Sequence, residues 1–118
     1  MKIRVYGIKE QNGKIIKGIE EIDSSLETMQ DYVGGYIEMI PLIPERKIVI
    51  FSDEDASIFD KPVTSSWELS IGNEKTIIGI KGNHFVCKIQ PNCEEEIISL
   101  TDEDIQEIKR IEREIKKS

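Results

Sequence analysis

The side chains best suited to reactive chemistry here are His84, Cys87 and Cys93, which lie close together in the last third of the chain. An imidazole and two thiols invite zinc, but a structural zinc site takes four tetrahedral donors, usually in paired C-x₂₋₄-C knuckles. The chain has one His and two Cys in all. Alternate residues of a strand face opposite ways, so His84 goes with Val86, and Cys87 with Phe85 and Ile89. One ion cannot collect both faces, and no metal site is expected. Cys87 is expected in the core, where a thiol packs as a small hydrophobe. A Cys87–Cys93 bridge fits the spacing, yet a reducing compartment keeps such a pair as thiols.

Other chemistry fares no better. The acidic stretch from Asp53 to Asp60 has the charge of a calcium loop without its spacing. With Asp53 first, position six is Ile58 rather than Gly and position twelve is Thr64 rather than Glu. Nucleophilic catalysis needs a base beside the nucleophile, and His84 is the sole imidazole. No G-x-S-x-G, Walker or G-x-G-x-x-G pattern occurs. A carboxylate pair stays formally open among 23 acidic residues. The expectation is a protein with no catalytic residue and no cofactor.

The elements that would position these groups are legible in outline. Ile3 and Val5 point one way and Tyr6 and Ile8 the other, and Asn12-Gly13 supplies a hairpin turn. The return strand, 14–22, is less regular, because Ile15 and Ile16 are adjacent and Gly18 interrupts. Ser24 with Glu27 fits a capping box for a short helix over about 24–33, with Leu26, Met29 and Val33 on one face and Gly34-Gly35 as its stop. Tyr36–Ile40 reads as a strand that Pro41 and Pro44 limit to an edge or a bend. The apolar run 47–51 reads as a central strand, and 52–66 as a loop. Trp67–Ile71 alternates as a strand, and 76–81 and 84–89 are expected to pair across Gly82-Asn83. A last amphipathic helix is expected over about 102–116. Thr101 is its N-cap, Leu100 and Ile105 form a staple, and Ile105, Ile108, Ile111 and Ile115 make its apolar face. Its far face carries a Glu112–Lys116 pair. The fold class expected is α+β, mostly antiparallel, with about five to seven strands and these two helices.

At 118 residues the chain is expected to form one domain. Its net charge of -7 disfavours nucleic acid, whose binding draws on cationic side chains, and an anionic membrane surface for the same reason. Mimicry of DNA needs an acidic face free of cations, and the last helix interleaves basic residues among its acids. No apolar run approaches the ~20 residues of a membrane helix, and the first residues lack a signal-peptide apolar region, so a cytoplasmic protein is expected. Isoleucine outnumbers leucine 23 to 4, an excess that implies a β-branched core and strand preference.

Two stretches carry a resemblance. The run from Ile22 through Gln30 into Val33-Gly34-Gly35-Tyr36-Ile37-Glu38, together with Ser99-Leu100-Thr101-Asp102-Glu103-Asp104-Ile105, resembles the domain of unknown function 3846 family. The resemblance covers residues 1–54 and 97–110. Between them the pattern departs: Asp53 to Ser66 contains no Arg, and Gly82-Asn83 stands where a Gly-Thr pair is usual. Membership implies a small protein of phages, plasmids or integrative elements, and no chemistry. The reading is therefore a non-catalytic accessory protein of a mobile genetic element that binds an unidentified protein partner. The alternative is a small-ligand domain, for a nucleotide for instance, with a pocket between the sheet and the 52–66 loop. There Tyr36, Trp67 and His84 are the residues expected to stack on a base. A homo-oligomer is compatible with both readings, since the isoleucines of the last helix can pack on their own sheet or on a twin.

Overall fold

The computed structural model describes residues 1–56, 61–90 and 93–113. The chain opens with a hairpin, β1 (Lys2–Gln11) and β2 (Lys14–Asp23), whose turn places Asn12 and Gly13 at φ 53° and 82°. Helix α1 (Leu26–Val33) follows, then β3 (Ile37–Ile43), a 3-10 turn (Pro44–Arg46) and β4 (Ile48–Asp53). The second half holds β5 (Val63–Ile71), β6 (Glu74–Lys81), β7 (His84–Gln90) and β8 (Cys93–Ile98). Helix α2 (Asp102–Ile111) and a short β9 (Glu112–Arg113) complete it.

These elements form three layers. The middle layer is a six-stranded antiparallel sheet in the order β2-β1-β7-β4-β3, with β8 also paired to β7. Strand alternation gives it two apolar faces. Ile3, Val5, Val49, Phe85 and Cys87 meet Met29 and Val33 of α1 on one side. Tyr6, Ile8, Ile48, Ile50 and Val86 meet Trp67 and Ile80 of a second sheet and Ile105 and Ile108 of α2 on the other. That second sheet is three-stranded, β6-β5-β9. Strand β4 is central and buried on both faces, as its continuous apolar run implied, and β3 lies at the sheet edge with a bulge near Pro41.

Four expectations need correction. The strands around Gly82-Asn83 do not pair with each other: β6 pairs β5, whereas β7 pairs β1 and β4, so the chain changes sheets at that corner. Helix α1 is capped by Ser25, which accepts from the Thr28 N–H, and Leu26 is exposed rather than on the core face. The 52–66 loop is shorter, since β4 continues to Asp53 and β5 starts at Val63. Helix α2 ends at Ile111, because Glu112 takes extended backbone and pairs with Trp67 of β5. Its carboxylate accepts from the Tyr6 hydroxyl at 2.8 Å and lies 3.0 Å from the Lys17 ammonium; Lys116, the other half of the expected Glu112–Lys116 pair, lies outside the described residues. Ile115 lies outside the described residues, as do 57–60 of the acidic stretch.

The α2 N-terminus is a further weld. Thr101 accepts from the Asp104 N–H, and the fully buried Asp104 carboxylate accepts from the Thr101 N–H at 3.0 Å. The same carboxylate is ion-paired with Arg46 at 3.1 Å and Lys88 at 3.2 Å. Burial would raise its pKa, but the Thr101 N–H and the Lys88 ammonium outweigh that and hold it below the usual carboxylate range. An Asp104→Asn variant is expected to lose about 2 kcal/mol, because charge-assisted bonds weaken while both cations keep a path to water. Urea unfolding checks this; a loss below about 0.5 kcal/mol would mean that the carboxylate only fills space.

Candidate functional site

The corner where the chain leaves the second sheet brings Thr64, Ser65, Trp67 and His84 together, all fully buried. His84 Nδ1 lies 3.0 Å from the Gly82 carbonyl oxygen, which can only accept, so Nδ1 carries the proton. Nε2 then accepts, from the Ser65 hydroxyl at 2.7 Å and from Trp67 Nε1–H at 3.4 Å. The Thr64 hydroxyl donates to the same Gly82 carbonyl at 2.6 Å. Burial pushes the imidazole pKa down to about 4; the Gly82 carbonyl opposes this and the Lys17 charge adds to it.

Ser65 and His84 thus stand at the separation of a nucleophile and its base, with a carbonyl in the orienting place. Neither has surface open to a substrate, and so weak a base has little appetite for the serine proton. What the arrangement does is lock one neutral tautomer across the two sheets.

Of the residues expected to stack on a base, the structure unites two. The rings of Trp67 and His84 meet edge-on with centroids 6.3 Å apart, but with no exposed surface they offer a base no face. Tyr36 stands apart, 69% exposed just before β3. Tyr36 alone of these rings lines a cleft, one of ≈380 Å³ that it shares with Gln30, Asp31, Gly34 and Gly35; two smaller clefts beside the acidic loop contain none of them. One, of ≈170 Å³, lies between Ser52, Asp53, Ala56 and the β6 residues Gly79 and Ile80. The other, of ≈250 Å³, is walled by Tyr32, Gly34, Lys61, Pro62 and Asn83.

Lys61 is the organiser of the second cleft. Its ammonium donates to the buried Asp53 carboxylate and, at 3.2 Å, to the Val33 carbonyl at the end of α1. Burial works to raise the Asp53 pKa, but Lys61 and the Asp55 N–H hold it below the usual carboxylate range. Gly34 takes φ 80° to end the helix, and a Cβ on Gly35 would stand 2.5 Å from the Asp53 carboxylate, so the Gly-Gly pair is required by both turn and approach. Cys87 is a free thiol whose pKa burial raises, which makes it unreactive. Among the described residues no group of His, Cys, Asp and Glu is placed to hold a metal ion, and no helix is long and apolar enough to cross a membrane.

A surface that sequence reasoning passed over is the free edge of β2. This ten-residue strand has β1 on one side and, among the described residues, no strand on the other. Ile15, Ile16 and Ile19 are 41%, 50% and 48% exposed along it. The signal was present in the adjacent Ile15 and Ile16, which put isoleucine on both faces of a strand whose partner covers neither.

No curated protein and no solved structure matches the chain. The model of one family, described as a domain of unknown function (DUF3846), matches residues 3–113, including the middle third where the visible motifs lapse. A match of that extent settles membership: the chain belongs to the DUF3846 family.

Proposed function

We propose that this protein is a non-catalytic accessory factor that acts by binding protein along the open edge of β2. The supporting observation is the unpaired ten-residue strand with three exposed isoleucines. Such an edge presents free N–H and C=O groups in a row, and apolar side chains beside them favour pairing with another strand. The setting in a mobile genetic element comes with the family resemblance, and a cytoplasmic location is in keeping with the free thiol of Cys87. A photo-crosslinking side chain at position 15, in the full chain expressed in its host, is expected to form a protein adduct. The same group at Ile77, on the outer strand of the second sheet, is the comparison. No adduct from position 15 beyond that seen at 77 would overturn the proposal.

A second reading, a small-ligand domain, has the ≈250 Å³ cleft beside Lys61 in its support. Thermal stabilisation by a nucleotide, and its loss in Lys61→Ala, would favour it; a flat response across nucleotides, sugars and divalent ions would count against it.

A further inference from the structure

We infer that the occupant of the β2 edge is the β2 strand of a second copy of this chain, paired antiparallel about a two-fold axis at Ile19. The inference rests on the reading of that edge as a protein-binding surface. The backbone geometry narrows the choices first. In a hairpin closed by a two-residue turn, Gln11 and Lys14 form a hydrogen-bonded pair, and such pairs recur at every second residue. The even-numbered residues of β2 therefore bond to β1. In agreement, the even-numbered residues of β1 bond away from β2: Arg4 accepts from the Leu100 N–H, and the Glu10 N–H donates to Asn83. Residues 15, 17, 19, 21 and 23 are left with their N–H and C=O groups directed at the free edge.

A two-fold axis perpendicular to the sheet keeps each face on its own side, so only residues of the same parity can oppose one another. Side-chain chemistry then chooses among the registers. With Ile19 opposite Ile19, Lys17 faces Glu21 twice over, and Ile16 faces Ile22. Moving the axis to Gly18 sets Lys17 against Ile19 and Ile15 against Glu21. Moving it to Glu20 sets two carboxylates against each other. The strand is itself polar, basic at Lys14 and Lys17 and acidic at Glu20, Glu21 and Asp23, which is the charge order that antiparallel self-pairing satisfies. Gly18 adds a separate pointer: a Cβ there would meet nothing within 4 Å in the single chain. A strand glycine with no internal reason commonly marks close approach by another backbone.

Sedimentation of the full chain is expected to give twice the mass of one chain. Glu21→Lys, at an exposed position, opposes Lys17 with a like charge and is expected to return the single-chain mass at the same concentration. Glu103→Lys, on the exposed side of α2, leaves the pair intact. Register is read separately: opposed Cα atoms of a hydrogen-bonded pair lie ≈5.5 Å apart, within disulfide range. Ile19→Cys chains are therefore expected to join on mild oxidation, whereas Ile15→Cys chains, facing Asp23, do not. A single-chain mass at every concentration, or equal behaviour of Glu21→Lys and Glu103→Lys, overturns the self-pairing. If that occurs while the crosslinker at position 15 captures a different protein, the self-pairing falls and the edge remains a protein-binding surface; if no adduct forms either, both fall.

Discussion

Replacing Trp67 by Ala is expected to remove about 4 kcal/mol of stability, a large share of the roughly 5–15 kcal/mol that holds a folded domain together. Trp67 is fully buried between the two sheets, in edge-on contact with Tyr6 at 6.3 Å and with His84 at the same separation. The large deletion leaves a cavity that β-branched neighbours, stiff at χ1, are poorly able to fill. The indole N–H is lost from His84 Nε2, though Ser65 still donates there. Trp67→Phe keeps most of the apolar volume and is expected to cost about 1.5 kcal/mol. Trp67 is the only tryptophan, so the variants must be followed by far-ultraviolet circular dichroism during urea unfolding rather than by fluorescence. A loss under about 1 kcal/mol for the Ala variant would show that the sheets are not held together through this ring.

The parts of the fold that were legible are those decided within a few residues. Asn12-Gly13 fixes its hairpin because both residues accept positive φ, and Thr101 with Leu100 and Ile105 announces α2 through local capping and packing. The failures lie where distant groups decide. Gly82-Asn83 has the composition of a hairpin turn, but Gly82 carries the chain from one sheet to the other, and Ile80 and Val86 on either side of it are buried in one core from different sheets. The amphipathic pattern of α2 continues past Ile111, and only the tertiary pull of Tyr6, Lys17 and β5 on Glu112 ends the helix. Of the isoleucines of that helix, Ile105 and Ile108 are buried in the chain's own core and Ile111 packs against it.

The candidate site was legible by residue and not by role. His84 and Trp67, expected with Tyr36 to stack on a base, do meet, but no local rule tells a stacking platform from a buried clasp. The β2 edge shows the converse. Its isoleucines look like core residues in sequence and are exposed in the structure because β2 is the last strand of its sheet.

That clasp makes the first stage of the protein's acid sensitivity depend mainly on one residue. His84 is the only histidine, with a pKa near 6.5 when unfolded and about 4 when folded, burial being the main cause. Above pH 6.5 both states are neutral, and the group adds no pH dependence. Below it the unfolded chain takes up a proton that the folded chain refuses. Stability therefore falls as pH drops from 6.5, by up to 1.36 kcal/mol per unit and about 3 kcal/mol in all by pH 4. Asp53 and Asp104, whose carboxyl pKa values are held low, lose their contributions only on further acidification, below the ordinary carboxylate value of 3.8. The interval from pH 6.5 to 4.5 thus belongs to His84, and urea midpoints measured across it are expected to fall steadily. His84→Gln is expected to flatten that slope, whatever it costs at neutral pH. Nitrogen chemical shifts give a reading without mutation: the imidazole is expected to stay neutral and protonated on Nδ1 down to pH 4.5. Titration in the folded protein near 6.5, or a proton on Nε2, would show the clasp to be open to water. In Trp67→Ala, water entering the vacated space is expected to bring the imidazole pKa back up and narrow the acid-sensitive interval, so the two variants report on one buried contact from opposite sides.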